Sequence, residues 1–274
     1  MAHHGNDDLN IVYKGDTHNK PSIKKINIVD MDVADFASKL TEKDRVLIRG
    51  GDGTLNHFVN RAKDTEFPCK VYMIRSGTGN DFLNDIGQEI SDEPVDIREY
   101  MRGLPTVKFG SRSLLFVNGV GLGVDGEVCR EVEIYKTKNP NKKANYTAIA
   151  AQELGFKYKR PSARVTVDGV THVYDKVWAV STMKGRYYGG GLKVAPSQDR
   201  ESGKVSVVVM HGGTRAKTLA VFAKIKNGGH VKHTDMVEVL TGYSVKVEFS
   251  QPYALQVDGE VFTGVSKYKV ECSK

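Results

Sequence analysis

Cysteine is rare in this chain. The 274 residues contain three, Cys69, Cys129 and Cys272, far apart and at no metal-binding spacing. Free, buried thiols in a reducing compartment are the expectation. Long apolar runs are missing as well: none approaches the ~20 residues that a bilayer-spanning helix needs. The opening stretch, Met1 to Asn10, is polar and acidic and carries no secretory signal, so a cytoplasmic protein is expected. There is no solenoid-type repeat and no low-complexity tract. Acidic residues are in deficit, 33 against 40 Lys and Arg, for a net charge of +7 and a pI near 9.1. That balance suits an anionic partner, whether nucleotide, nucleic acid or acidic lipid surface, without choosing among them. Apolar content of 39% and charged content of 27% are those of a folded globular protein, and the length allows two modest domains.

What is present is glycine, concentrated in particular places. Arg49-Gly50-Gly51-Asp52-Gly53-Thr54-Leu55-Asn56 lies between the apolar run Val46-Leu47-Ile48 and a helix-like segment, Leu55 to Lys63. A glycine-rich turn from strand to helix exposes backbone N–H groups, and the helix N-terminus adds partial positive charge. Such a turn is a phosphate cradle. The glycines let a ligand approach the backbone closely. Asp52 cannot face a phosphate bare; it must orient a neighbouring group or hold a cation. No Gly-Lys-Ser/Thr follows, so this is not a Walker A loop.

The first third of the chain alternates strand and helix patterns: Ile26–Val29, Val33–Leu40, Arg45–Ile48, Leu55–Lys63 and Lys70–Ile74. This order predicts a parallel sheet covered by helices, with ligands at the carboxyl ends of its strands. From about Thr106 short strand patterns dominate, among them Ala163–Val167, Val177–Met183, Lys204–Met210, Ser244–Phe249 and Ala254–Val257. Asp168-Gly169 and Asp258-Gly259 read as two-residue hairpin turns. Tyr146–Phe156 and Thr214–Lys226 read as helices, the second closed by Gly228-Gly229. The expected organisation is an α/β nucleotide-binding domain over residues 1–105 and a β-rich, sandwich-like domain over 106–274, with the boundary near Gly103-Leu104-Pro105.

A second glycine loop, Ser76-Gly77-Thr78-Gly79-Asn80-Asp81-Phe82, again follows a strand and precedes a helix pattern. Two such loops on neighbouring strands would face each other across a crevice. They would supply N–H donors, the hydroxyls of Thr54 and Thr78, and the carboxylates of Asp52 and Asp81. Asn80-Asp81 alone reads as helix capping; paired with the first loop, a polyphosphate site is the better reading.

Gly-Gly-Asp-Gly-Thr followed by Gly-Thr-Gly-Asn-Asp-Phe resembles the diacylglycerol kinase catalytic domain family, which includes bacterial lipid kinases and sphingosine kinases. Three further segments continue the resemblance in order: Asn118 to Asp125, Tyr188-Gly189-Gly190-Gly191-Leu192-Lys193-Val194-Ala195-Pro196, and Asp258-Gly259-Glu260. NAD kinases and phosphofructokinases share related Gly-Gly-Asp-Gly loops. The resemblance implies an NAD kinase-like α/β domain with a β-sandwich domain, and an ATP- and Mg²⁺-dependent lipid kinase acting on a diacylglycerol-like alcohol at the membrane surface. It implies nucleotide contacts from Gly50, Gly51, Asp52, Gly53, Thr54, Leu55, Asn56, Gly77, Thr78, Asn80 and Asp81. It makes Glu260 the catalytic base with Asp258 beside it. It leaves a homodimer open. The opening Asn10 to Asp16 departs from the family's first phosphate loop, and His57 stands where a Glu is common. Ser202 replaces an aspartate before Gly203, so Asp199, Glu201 and Lys204 of that turn are the remaining candidates for a magnesium site.

Gly121-Leu122-Gly123-Val124-Asp125-Gly126 fits a dinucleotide fingerprint, but a basic loop follows where a second acidic strand end is required. It reads as a hinge or close-packing segment, with Asp125 and Glu127 opening a helix. The cluster Lys136, Lys138, Lys142, Lys143, Lys157, Lys159 and Arg160, with Tyr146, Phe156 and Tyr158, reads as contact with anionic headgroups. No aromatic strand platform supports nucleic-acid binding.

Overall fold

The computed structural model describes residues 10–17, 20–27, 32–76, 80–88, 93–140, 142 and 146–273. The chain divides into two compact units, Met1–Leu104 and Pro105–Lys274.

The first unit is built on a five-stranded sheet in the order β2-β1-β3-β4-β5. Its strands are β1 (Asn10–Thr17), β2 (Lys20–Asn27), β3 (Arg45–Gly50), β4 (Lys70–Arg75) and β5 (Val95–Asp96). The expected parallel sheet is realised only at its centre. β3 and β4 run parallel, in register from Arg45↔Lys70 to Gly50↔Arg75. β1 is antiparallel to both β2 and β3, and β5 is antiparallel to β4. The reason is connection length: β1 and β2 are joined too tightly for anything but a hairpin, whereas a parallel pair needs a crossover helix. β3 and β4 are joined through one, α2 (Asp52–Arg61). The strand pattern placed at Ile26–Val29 coincides only with the end of β2, and Ile28 and Val29 lie outside the described residues. α1 (Val33–Ser38) is capped by Asp32, whose Oδ1 accepts from Ala34 and Asp35 N–H at 3.0 Å. Two short helices, α3 (Asp81–Asp85) and α4 (Arg98–Met101), complete the unit. Val46, Ile48, Val71 and Met73 point from the parallel pair into the core with Phe58 of α2.

The second unit is an antiparallel sheet that folds back on itself. Its path is β13-β12-β11-β8-β14-β15-β6-β7, with β9 joining β14 and β10 joining β9. The ranges are β6 (Thr106–Phe109), β7 (Arg112–Leu115), β8 (Gly119–Gly123), β9 (Ala163–Val167), β10 (Val170–Tyr174), β11 (Val177–Met183), β12 (Val205–His211), β13 (Val237–Gly242), β14 (Ser244–Val257) and β15 (Glu260–Glu271). Two patterns read separately, Ser244–Phe249 and Ala254–Val257, belong to the single strand β14. Its ladder with β15 is irregular between Glu248 and Leu255. Its first half pairs with β9 and its last residues with β8, so one strand serves both layers. Alternation along β12 shows the result: Val205, Val207 and Val209 join the core between the layers, while Val208 and Met210 join a second core under the helices. Those helices are α5 (Val124–Lys138), α6 (Tyr146–Gln152), a π-helical turn (Glu153–Lys157) and α7 (Arg215–Phe222).

Both Asp-Gly turns are two-residue hairpins with positive φ at each position, 48° and 88° at Asp168-Gly169, 46° and 91° at Asp258-Gly259. This is the geometry that twisted antiparallel strands favour. Among the described residues no helix is long and apolar enough to cross a membrane. All three cysteines are free, Cys69 buried and the others half-buried.

Candidate functional site

In the first unit the glycine motif is divided between strand and helix. Gly50 ends β3, Gly51 is the N-cap of α2, and the helix already begins at Asp52, three residues earlier than the apolar pattern suggests. Gly51 offers no side chain to cap the first turn, so its N–H groups are oriented toward whatever lies in front of them. Gly50 must be glycine: a Cβ there would fall 2.1 Å from Thr54 Oγ1 and 2.5 Å from its Cβ. Gly53 differs, since a Cβ there would meet no protein atom within 4 Å. The space in front of Gly53 is open, which is what a cradle for a polyphosphate requires.

Of the two roles open to Asp52, orienting a neighbour is the one observed. Its Oδ2 accepts the Asp81 N–H at 2.8 Å and its Oδ1 accepts the Phe82 N–H at 2.9 Å. The carboxylate of the first motif thus caps the helix that opens the second, across 29 residues of sequence. A charge-assisted pair of this kind fixes one turn against the other and keeps a negative charge at a helix N-terminus, where it is favoured. Thr54, Asn56, Asn80 and Asp81 are buried, and Asn56 Oδ1 accepts from Asn60 Nδ2 at 3.2 Å. Leu55 does not face the cradle; its side chain is 2% exposed and packs in the core, so only its backbone is available to a ligand. Gly77 and Thr78 lie outside the described residues.

In the second unit the two acids of Asp258-Gly259-Glu260 have opposite environments. The Asp258 carboxylate accepts three backbone N–H groups, Val117 at 2.6 Å, Asn118 at 2.8 Å and Gly119 at 2.8 Å. Its own N–H donates to the Gly119 carbonyl at 3.0 Å. Asp258 is therefore a positioning residue, clamping the hairpin to the entry of β8. Glu260 is half-buried at the start of β15, paired with Val257 in the ladder, and its side chain has no hydrogen-bond or ion-pair partner among the described residues.

The Asp199–Lys204 turn does not fit a magnesium site. Asp199 Oδ1 accepts the Glu201 N–H at 2.9 Å and the Asp199 carbonyl accepts from Ser202 Oγ at 2.7 Å. Lys204 Nζ sits 5.2 Å over the Tyr243 ring; an ammonium has no lone pair for a metal. No three His, Cys, Asp or Glu side chains converge on a metal-sized position among the described residues. The turn is instead attached through Arg200 to the entry of β8 that Asp258 also holds: Arg200 donates to the Val117 carbonyl at 2.7 Å and to Asn118 Oδ1 at 3.2 Å.

The segment Gly121 to Gly126 is a close-packing device, as its reading as something other than a dinucleotide loop requires. β8 is buried throughout, and a Cβ at Gly126 would lie 2.0 Å from the Ala254 carbonyl oxygen. Asp125 has a role that its place at a helix start does not disclose. Its Oδ2 accepts from Tyr188 Oη at 2.9 Å and Ser181 Oγ at 3.3 Å, and its Oδ1 from Gly126 N–H at 2.9 Å. Burial of the carboxyl group pushes its pKa up to about 6. Asp125 thereby ties the start of α5 to β11 and to Tyr188, just ahead of Gly189, Gly190 and Gly191, which all take positive φ. Glu127 is engaged too, accepting from Ala254 N–H at 2.8 Å and Arg130 Nε at 2.7 Å.

Part of the basic cluster works internally. Lys157 pairs with Glu131 and Glu153, and Arg160 lies over Trp178 while bonding the Gly213 carbonyl at 2.8 Å. Lys136, Lys138, Lys142 and Lys159 are exposed, and so is Phe156, at 87%. Lys143 and the Tyr146 side chain lie outside the described residues.

The profile of the diacylglycerol kinase catalytic domain matches residues 18–106, and that of the YegS C-terminal NAD kinase beta sandwich-like domain matches residues 118–272. A putative lipid kinase, YtlR, of Bacillus subtilis is 21% identical over 84% of this chain and 77% of its own length. A diacylglycerol kinase of Mycobacterium tuberculosis is 25% identical over 75% of this chain and 67% of its own. The crystal structure of a putative diacylglycerol kinase from Bacillus anthracis superposes with a TM-score of 0.64 at 18% identity, covering 88% of this chain and 76% of that one. With both profiles matched in order and the fold shared, the chain belongs to the diacylglycerol kinase catalytic domain family, with the NAD kinase-like β-sandwich as its second domain.

Proposed function

We propose that this protein is an ATP-dependent lipid kinase that transfers the γ-phosphoryl group to the hydroxyl of a diacylglycerol-like lipid. The observation that carries the reading is the bridge from Asp52 to the Asp81 and Phe82 N–H groups, which makes one site of two glycine turns. Phosphoryl transfer depends on positioning and charge neutralisation more than on covalent chemistry. The first turn of α2 supplies N–H donors and the positive end of its dipole to the phosphates, with open space before Gly53. Asn80 and Asp81 line the same bridge. Glu260 accepts the proton of the attacking hydroxyl, and Asp258 holds its hairpin in place. A divalent ion carried on the polyphosphate supplies further charge neutralisation when bound. The lipid is met at the membrane surface, where exposed Lys136, Lys138, Lys142 and Lys159 each contribute ~1 kcal/mol toward an anionic leaflet and Phe156 adds apolar contact.

Transfer of radiolabelled phosphate from ATP to diacylglycerol, sphingosine and NAD tests the proposal. Organic-phase product from diacylglycerol is expected, with Glu260→Gln reducing the rate by about 10²- to 10⁴-fold and leaving ATP affinity in place. An unchanged rate in that variant removes Glu260 as the base. ATP binding without transfer to any of the three alcohols removes the lipid kinase reading.

A further inference from the structure

Arg75 closes β4, immediately ahead of the second glycine turn. Its Nη2 donates to Asn84 Oδ1 and to the Gln88 carbonyl, both at 2.8 Å. These bonds pin the guanidinium to α3 and to the chain that leaves it. The residue is half-buried, and its Nε is shut off from solvent without an acceptor. Among the described residues the guanidinium meets no carboxylate. A cation held partly out of water without a counter-charge is unfavourable unless an anion completes it. The register gives the position of the guanidinium relative to the cradle. Arg75 stands opposite Gly50 in the parallel β3–β4 ladder, and residues so paired project to the same face. Gly50 in turn lies against Thr54 in the first turn of α2. Arg75 therefore shares both a sheet face and a strand end with the phosphate cradle.

We propose that Arg75 is a phosphate-binding residue of the nucleotide site, a fixed fork that contacts the polyphosphate from the β4 side. The inference rests on the nucleotide reading above and gives it a donor outside both glycine motifs. A planar guanidinium suits this role because it presents paired donors to phosphate oxygens. The opening strand β1 makes the donor useful: Asn10–Thr17 is one arm of a hairpin, so this segment offers an extended ladder rather than a turn of free N–H groups.

Isothermal calorimetry with ATP, ADP and adenosine tests it on the full chain. Arg75→Gln should weaken ATP and ADP about tenfold to a hundredfold and leave adenosine within about twofold. Arg75→Lys, which keeps the charge without the fork, should lose less. Asn84→Ala releases one tether and should lower ATP affinity alone, by a smaller factor. If Arg75 only braces α3, the glutamine variant will lower its melting temperature and lose ATP and adenosine together, or lose neither; either result overturns the proposal. Should Arg75→Gln fail to fold, Asn84→Ala decides, and unaltered ATP affinity there overturns it. Wild-type protein that binds no ATP defeats the nucleotide reading itself, whereas wild-type binding with an unaffected Arg75→Gln defeats only the role of Arg75.

Discussion

Asp258 and Glu260 are two residues apart and are predicted to fail in different ways. Asp258 holds three backbone N–H groups at 2.6, 2.8 and 2.8 Å. Asp258→Ala leaves those donors partly buried without an acceptor. Hydrogen bonds to a charged acceptor are worth about 1.5–3 kcal/mol each, but three sharing one carboxylate do not add fully. A loss of about 3–5 kcal/mol from the second unit follows, or roughly 10 °C in melting temperature for a unit of this size. Asp258→Asn should cost about half as much, because one amide oxygen still accepts while the NH₂ group opposes a donor. Urea titration gives the free energies, and amide hydrogen exchange at Val117, Asn118 and Gly119 localises them. Glu260→Gln should lie within about 0.5 kcal/mol of the wild type, since no side-chain partner is lost, yet slow phosphoryl transfer by about 10²- to 10⁴-fold. Two results would refute the reasoning: an Asp258→Ala protein as stable as the parent, or equal destabilisation by both changes.

The glycines of the first motif should separate in the same manner. Gly50→Ala forces Thr54 to move and should cost about 1–3 kcal/mol in thermal or urea unfolding. Gly53→Ala meets no protein atom and gains helix propensity, so stability should rise by up to about 1 kcal/mol while ATP affinity falls; wild-type affinity in this variant would show that the space before Gly53 holds no phosphate. Asp125 sets a pH dependence. Its carboxyl pKa is raised from 3.8 to about 6, so the folded chain binds more protons than the unfolded chain between these values. Stability falls as pH rises through that window and is flat above it, by roughly 2–3 kcal/mol at most. Asp125→Asn should flatten the profile between pH 4 and 6 in unfolding curves, and an unaltered slope would mean the carboxyl is ionised throughout.

Local chemistry was the legible part of this sequence. Asp-Gly at residues 168–169 and 258–259 dictates a hairpin because both positions need positive φ, and no distant residue is consulted. β11 and β9 were readable from β-branched runs that are buried on both faces or alternate. β8 was not, because Gly-Val-Gly-Leu-Gly has low strand propensity and becomes a strand through pairing with β11 and β14 on either side. The antiparallel start of the first sheet was hidden for a related reason: the strand pattern at Ile26 gives no sign that its neighbour is the strand just before it. Site residues split along the same line. The motifs located Asp52 and Asp258, but their partners, 29 and about 140 residues away, follow from tertiary structure alone. Arg75 carries no motif, and only its register with Gly50 makes it noticeable.

The order in which the second unit can assemble follows from where β14 and β15 lie. In chain order they come after every other strand of this sheet, yet they occupy its middle, between β8 on one side and β6 on the other. A ribosome-bound chain that has emitted everything up to residue 243 still has β6–β7, β9–β10 and β8-β11-β12-β13 as three separate fragments with open edges. Closure waits for residues 244–271, and contacts of such long sequence separation form slowly. Until then the valine-rich faces of β11 and β12 are exposed to association with other chains, so maturation of this protein should lean on holding chaperones more than its size alone suggests.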